Sequence, residues 1–260
     1  SHFLDIATNL KFIARSGAGL ENIDLISAEE NGVKVFNSPE GNMDAVGEHA
    51  IGMLLMLFNQ LKKGDSEVRE SFWDREGNRG LEISGKTIGI IGYGNMGKAF
   101  TKKLSGFDCN VIAHDKYKSG FSDNYVKEVS LAELQQQSEI ISIHLPLTPE
   151  TKYYIDKQFI NNCSLPFYLI NTARGNHIDT TSLVNGLESN KVLGACLDVL
   201  EYETKSFETI SANELPMAFN YLCASDKVIL SPHVAGWTEE SYVKLSSFLA
   251  NKIEEAFFKK

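Results

Sequence analysis

Gly85-Lys86-Thr87-Ile88-Gly89-Ile90-Ile91 runs into Gly92-Tyr93-Gly94-Asn95-Met96-Gly97, and this stretch decides the fold. Thr87–Gly92 is apolar at nearly every position, as a strand buried on both faces requires. The glycines that follow have the spacing G-x-G-x-x-G and open a helix predicted over Met96–Leu104. A second predicted strand, Asn110–Asp115, ends on an acid 18 residues after Gly97. A strand, a glycine turn, a helix and a second strand closed by an acid form a dinucleotide-binding unit; the glycine motif alone would be weak evidence. Gly92 permits the tight turn, Gly94 lets a pyrophosphate approach the backbone, and Gly97 lets the helix pack on the strand. Tyr93, Asn95 and Met96 complete the turn, where helix N–H groups face phosphate. Asp115 is placed to accept from a ribose 2′-hydroxyl and to repel a 2′-phosphate, which favours NAD over NADP. Lys116 or Lys118 would work the other way, and similar turns also accept S-adenosylmethionine.

Outward from this block, short β-rich runs alternate with helix-length segments. Predicted strands are Lys11–Arg15, Val33–Asn37, Glu139–Leu145, Phe167–Thr172, Val192–Val199 and Val228–Ser231. Predicted helices are Asn42–Lys62, Leu131–Gln137, Thr181–Glu188 and Thr238–Phe258. Apolar runs separated by helices indicate an α/β protein with a doubly wound parallel sheet. The helix at Asn42–Lys62 is apolar nearly all round in its middle, which predicts burial on several sides, a subunit interface being one way to achieve it. The helices starting near Asn42 and Thr238 flank the clearest α/β block and are natural crossings between two lobes. No repeat, low-complexity segment or Pro/Gly-rich linker interrupts the chain.

Composition bounds the function. The 260 residues hold 25 Lys+Arg against 34 Asp+Glu, a net charge of −9, with no basic block; this argues against a nucleic-acid groove. A hydrophobic fraction of 43% excludes disorder as the main state. The longest apolar run, Ala50–Phe58, is too short to cross a bilayer, and no signal segment opens the chain, so a cytoplasmic location is expected. Cys109, Cys163, Cys196 and Cys223 lie far apart in apolar stretches, with no His at ligand spacing. They are read as buried free thiols in a reducing compartment, and no metal site is expected.

Three polar residues stand near the ends of later strands, where doubly wound sheets place ligands. Arg174 follows Leu169–Ala173, Glu203 follows Val192–Val199, and His233 follows Val228–Pro232. A guanidinium suits a substrate carboxylate, and a His with a Glu partner is an acid–base unit. Singly, each has a plainer reading: a structural ion pair, a solvated loop acid, a helix-cap neighbour.

As an ordered set, these residues and their neighbours resemble the D-isomer-specific 2-hydroxyacid dehydrogenases. The similar blocks are Arg15–Gly19 with Asn22-Ile23-Asp24, and Asn37–Asn42 with Val46, Glu48 and His49. The glycine fingerprint follows, then His144–Thr148 with Glu150-Thr151, Asn171–Gly175, Gly194–Val199 and Ser231–Gly236. The resemblance implies a Rossmann NAD domain over residues 42–237. A smaller flavodoxin-like substrate domain, incomplete at its N-terminal side, would comprise residues 1–41 completed by 238–260. It also implies Arg174 as carboxylate anchor, His233 as acid/base and Glu203 as its partner. Asp198 would hold the nicotinamide carboxamide. His144, Leu145, Pro146, Thr172, Ala173 and Gly236 would line the cofactor, while Arg15, Ser16, Gly17, Ala18 and Asn42 would meet the substrate.

The family usually follows the catalytic Glu with Pro, where Thr204 stands here, and Lys205–Asp226 is longer than the common version. Glu201 therefore competes with Glu203, which spacing from Asp198 favours. The inserted Asn213–Phe219 is read as surface packing rather than a helix near the site. Asn37–Asn42 and the Arg15 loop look most like short-type 3-phosphoglycerate dehydrogenases. Arg15, and an arm of Trp73-Asp74-Arg75-Glu76 with Arg79, are the candidate cations for a phosphate. Glyoxylate and hydroxypyruvate are the nearer alternatives, and an NAD(H)-sensing interaction protein or a methyltransferase the more distant ones. A homodimer through the NAD domains is expected. The bare edge at Lys11–Arg15 predicts residues preceding Ser1 in the native protein, and the end at Lys260 predicts no C-terminal regulatory domain.

Overall fold

The computed structural model describes residues 2–203 and 215–259. The chain forms two compact units, one of residues 1–45 with 236–260 and the other of residues 46–235. The first unit holds α1 (His2–Ile6), β1 (Phe12–Arg15), α2 (Leu25–Glu30) and β2 (Lys34–Asn37). α3 (Met43–Phe58) begins in it and continues into the second unit, followed by α4 (Leu61–Arg69). The second unit continues with β3 (Thr87–Ile91), α5 (Asn95–Leu104), β4 (Asn110–His114), β5 (Lys127–Glu128), α6 (Leu131–Gln137) and β6 (Ile140–Ile143). Then come α7 (Lys157–Asn162), β7 (Phe167–Asn171), α8 (Thr180–Glu188), β8 (Val192–Leu197), α9 (Met217–Ala224) and β9 (Val228–Leu230). α10 (Glu239–Phe257) returns to the first unit.

The expected doubly wound sheet is present in the second unit. Its seven strands are all parallel, in the order β5-β4-β3-β6-β7-β8-β9. Consecutive residues of one strand enter opposite cores. Ile140, Ile170 and Cys196 pack with Ala50, Leu54 and Phe58 of α3 and Phe100 of α5. Ile141, Leu169 and Ala195 pack instead with Leu134 of α6, Phe159 of α7 and Leu183 of α8. A period of two with apolar residues on both faces is what a strand covered by helices on each side demands. Strand order reverses between β3 and β6, so the crevice beyond their C-terminal ends is the place for a ligand.

In the first unit β1 and β2 pair in parallel, Phe12 opposite Lys34 through Arg15 opposite Asn37. Leu4, Ala28 and Val33 form its small core. Gly41 packs so closely on α10 that a Cβ there would lie 2.5 Å from the Leu245 backbone nitrogen. Lys252 Nζ donates to Glu40 and to the Asn37 carbonyl, tying α10 to the end of β2.

Several local expectations change. The helix predicted to Lys62 ends at Phe58, because Gln60 is left-handed (φ 51°) and Leu81 N donates to the Phe58 carbonyl. A new helix, α4, starts at Leu61. α3 buries Ala50, Met53, Leu54 and Phe58, but Met56 is 38% exposed, so within this chain it is covered on one side. β5 escaped prediction because Lys127-Glu128 carries no apolar signal; the valines flanking it are buried. Cys163 and Cys196 are buried and burial pushes both thiols up, Cys163 to about 12. Cys109 is half-buried and Cys223 exposed, against the expectation for all four. The Asn213–Phe219 stretch contributes the start of a helix, α9, which buries Leu222 while Met217 stays exposed; Asn213 and Glu214 lie outside the described residues, as do Thr204 and Lys205. Among the described residues no helix is long and apolar enough to cross a membrane.

Candidate active site

The glycine turn sits at the β3 end of the strand-order reversal. Gly92 is left-handed (φ +92°), and a Cβ there would lie 2.5 Å from the carbonyl oxygen of His144, just beyond β6. A Cβ on Gly97 would lie 2.3 Å from Gly92 O, so the third glycine allows α5 to approach β3. Gly94 meets nothing within 4 Å and caps α5 with no side-chain hydrogen bond, leaving an open backbone cradle at a helix N-terminus. The chain supplies the remaining features a dinucleotide needs. The Asp115 carboxylate accepts from Tyr93 N (2.9 Å) and Tyr117 N (3.0 Å), which holds it against the turn. Lys116 pairs with Glu150, to which Tyr117 Oη also donates, and Lys118 Nζ donates to Tyr93 O. At the end of β7 the Thr172 hydroxyl is buried without a hydrogen-bond partner among the described residues, a polar group still to be satisfied. NAD fits these residues.

Two expected cofactor residues turn their side chains inward. Tyr93 is buried, its ring stacked on Phe121 at 4.8 Å, and burial together with Asp123 raises its hydroxyl to about 12. His144 is likewise inside, its Nε2 2.9 Å from Ser142 Oγ, and burial lowers its imidazole to about 4. Leu145 packs against the core, and the Pro146 carbonyl accepts from Thr151 Oγ1 at 2.7 Å.

Beyond β7, β8 and β9 the three expected catalytic residues occupy neighbouring loops of the second unit. His233 Nδ1 lies 2.6 Å from Glu203 Oε2, and both side chains are largely buried. The other Glu203 oxygen accepts from Leu200 N, and Glu203 N donates to Leu200 O, so a tight turn aims the carboxylate. Glu201 accepts instead from Thr180 N, which makes Glu203 the partner of His233. Tyr202 between them meets Phe219 of α9 edge-on at 5.7 Å. Asn171 shapes the Arg174 loop by donating to Arg174 O (2.8 Å) and accepting from Ala173 N (3.0 Å). Gly175 must be glycine because a Cβ would fall 1.9 Å from Leu200 C, and this close approach sets the Arg174 loop beside the Glu203 turn. The guanidinium folds back, Nη1 donating to Ala173 O.

Asp198 directly follows β8 and is 1% exposed. It accepts from Val234 N and Ala235 N, each at 2.9 Å, and from Ser231 Oγ at 2.6 Å. His49 Nε2 is 2.9 Å from that serine oxygen. His49 and Ser231 stand within the family-like blocks of the sequence, with no signal beyond their position beside Glu48 and close to His233.

The expected substrate residues lie in the first unit. Arg15 ends β1 and its Nε donates to Gly19 O at 3.2 Å. Gly17 (φ +150°) and Ala18 turn their carbonyls to Ser38 N and the Asn37 amide, which anchors the Ser16–Ala18 loop on the end of β2. Asn42 packs on Gly236, where a Cβ would come within 2.4 Å of its Nδ2. In the second unit the arm is locally paired: Arg79 with Glu76 at 2.7 Å, and Gly77 N with Asp74 Oδ1 at 2.9 Å, while Trp73 is 77% exposed.

Comparison with known proteins identifies the family. Residues 51–235 match the family profile "D-isomer specific 2-hydroxyacid dehydrogenase, NAD binding domain". A hydroxypyruvate reductase of Thermotoga maritima is 34% identical over 250 residues, covering 96% of this chain and 78% of the relative. A D-3-phosphoglycerate dehydrogenase of Archaeoglobus fulgidus is 33% identical over 96% of this chain, which spans only 46% of that relative's length. The crystal structure of a glyoxylate reductase from Paecilomyes thermophila superposes with a TM-score of 0.87 at 27% identity, covering 99% of this chain and 76% of that one. With the nucleotide cradle at the head of a parallel sheet and the family profile spanning that sheet, the chain belongs to the D-isomer-specific 2-hydroxyacid dehydrogenases, NAD-dependent oxidoreductases.

Proposed function

We propose that the protein interconverts a D-2-hydroxy acid and its 2-keto acid, with Arg174, Glu203 and His233 as its working residues. The observation that carries this reading is the 2.6 Å pair between His233 Nδ1 and Glu203. A ring N–H donated to a carboxylate fixes the tautomer and leaves Nε2 to exchange a proton. In oxidation His233 takes the hydroxyl proton of the substrate and Glu203 stabilises the imidazolium; in reduction the same nitrogen gives the proton back. Arg174 holds the substrate carboxylate through paired N–H donors, and the Ser16–Ala18 loop and Asn42 of the first unit are read as further substrate contacts. Bound NAD supplies the chemistry the side chains lack, accepting or returning a hydride. The unit of residues 1–45 and 236–260 is read as the substrate lobe, the protein as a cytoplasmic homodimer, and Asp115 and Asp198 as contacts for the cofactor ribose and carboxamide.

For the substrate, 3-phosphoglycerate and 3-phosphohydroxypyruvate come first, a step toward serine, on the strength of the Asn37–Asn42 and Arg15 blocks. Hydroxypyruvate or glyoxylate is the second reading. It is favoured by the Arg79–Glu76 pair, which occupies one candidate phosphate ligand. A role in nucleotide sensing without turnover leaves the His233–Glu203 pair without a task. NADH oxidation with 3-phosphohydroxypyruvate, hydroxypyruvate, glyoxylate and pyruvate tests all of this. The phosphorylated acid is expected to give the highest kcat/KM; turnover of none would overturn the enzymatic reading. His233→Ala is expected to lower kcat at least about 100-fold, whereas Arg174→Ala raises KM as well.

A further inference from the structure

The backbone of His233 is left-handed (φ +54°), an uncommon state for a residue with a Cβ, which persists only where the surroundings impose it. What imposes it is Asp198. Its carbonyl accepts from His233 N (2.8 Å), and its two carboxylate oxygens accept from Val234 N and Ala235 N (2.9 Å each). One residue thus holds three consecutive N–H groups of the loop that carries the acid–base.

That carboxylate is buried, and a buried charge with too few donors is unstable. Ser231 Oγ, 2.6 Å from Oδ1, supplies the side-chain donor. A serine hydroxyl has one proton, so once it points at Asp198 its oxygen is only an acceptor. His49 Nε2, 2.9 Å from that oxygen and 3.5 Å from Asp198 Oδ1, must then carry a hydrogen and donate. Met53 Sδ, 3.6 Å from the hydroxyl, is a weak acceptor and does not compete. The direction of the chain is therefore set: His49 to Ser231, Ser231 to Asp198, with Asp198 gripping residues 233–235. It joins α3, the segment after β9 and the end of β8.

We propose that His49 and Ser231 are positioning residues for the reaction, which act through Asp198 to hold the His233 loop in its left-handed conformation. The proposal rests on the reading of His233 as the acid–base. Neither residue touches the reacting atoms, so their loss should misplace the proton-transferring group and leave the carboxylate anchor alone.

The test compares His49→Phe, His49→Gln, Ser231→Ala and His233→Ala in the full chain. Readouts are kcat and KM with the four keto acids named above, NADH-binding stoichiometry by fluorescence, and amide exchange of the peptide carrying Val234 and Ala235. His49→Phe and Ser231→Ala are expected to lower kcat about ten-fold. KM should stay within about two-fold, since anchoring is untouched. NADH stoichiometry should be full and exchange at residues 234–235 faster. His49→Gln, whose amide can donate to Ser231, should recover most of the lost kcat. Parental kcat and exchange in both His49→Phe and Ser231→Ala would overturn the proposal, as would a Gln variant as impaired as the Phe variant. Should His49→Phe fail to fold, Ser231→Ala, which removes a single hydroxyl, decides by the same two readouts. An active His233→Ala would refute the acid–base reading itself; an inactive one beside parental His49→Phe and Ser231→Ala refutes the positioning role alone.

Discussion

The glycines of the nucleotide turn do different physical jobs, and substitution separates them. Gly92 combines a positive φ with a Cβ position 2.5 Å from the His144 carbonyl. Alanine there must displace backbone between β3 and β6, so Gly92→Ala should lower both the melting temperature of the free protein and its NADH affinity, the latter about ten-fold or more. Gly94 has ordinary φ and open space around it. Gly94→Ala should leave the free protein's melting temperature unchanged while weakening NADH, because the methyl group meets only what approaches from outside. Thermal shift with and without NADH distinguishes the two; equal destabilisation by both would contradict the assignment of Gly94 to the pyrophosphate. The sequence spacing assigned all three glycines, but it credited Gly92 with the turn alone. The carbonyl of His144 that crowds it arrives from a strand more than 50 residues away.

At the scale of elements, strands were more legible than helix ends. Each predicted strand is present within one or two residues at either end, and in the seven-stranded sheet burial on both faces is what leaves the continuous apolar run. Short helices such as α7 carry too few turns to show a period, and their starts are set by caps instead. α8 is an example: Asp179 Oδ1 accepts from Thr181 N and Ser182 N, and Oδ2 from Ser182 Oγ. Asp179→Ala should therefore cost about 1–2 kcal/mol, read as a lower urea midpoint with an unchanged slope. No shift would mean that the α8 N-terminus draws its stability from packing of Leu183 and Leu187 alone. The early end of α3 was illegible for another reason. Asn59-Gln60 carries no Pro or Gly to mark a break, and the left-handed turn at Gln60, with Leu81 returning onto the Phe58 carbonyl, ends the helix there.

For the molecule as a whole, the buried imidazole of His144 ties stability to pH. Burial lowers it from the usual 6.5 to about 4. Between those values the unfolded chain takes up a proton that the folded chain refuses, so stability falls as pH falls. The slope from this one group reaches about 1.4 kcal/mol per pH unit. The unfolding free energy of the parent minus that of His144→Gln should accordingly shrink between about pH 7 and about pH 5; a constant difference would show that the imidazole is charged or solvated in the folded state. His144 also shows where sequence reading stops. Its motif marked it as lining the cofactor, yet its ring turns inward to Ser142 and Phe100. The parallel sheet and the nucleotide turn are legible along the chain, because local periodicity and glycine spacing are local properties; Arg174 and His233 stand out as strand-end residues, and their proposed roles come from the family resemblance. Only the tertiary structure decided which glutamate meets His233, which side chains turn inward, and that His49, Ser231 and Asp198 converge beneath the His233 loop. The two hydrogen bonds that decide the first and last of these join residues 30 and 182 positions apart, brought together by the packing of α3 and the strand-end loops on the sheet.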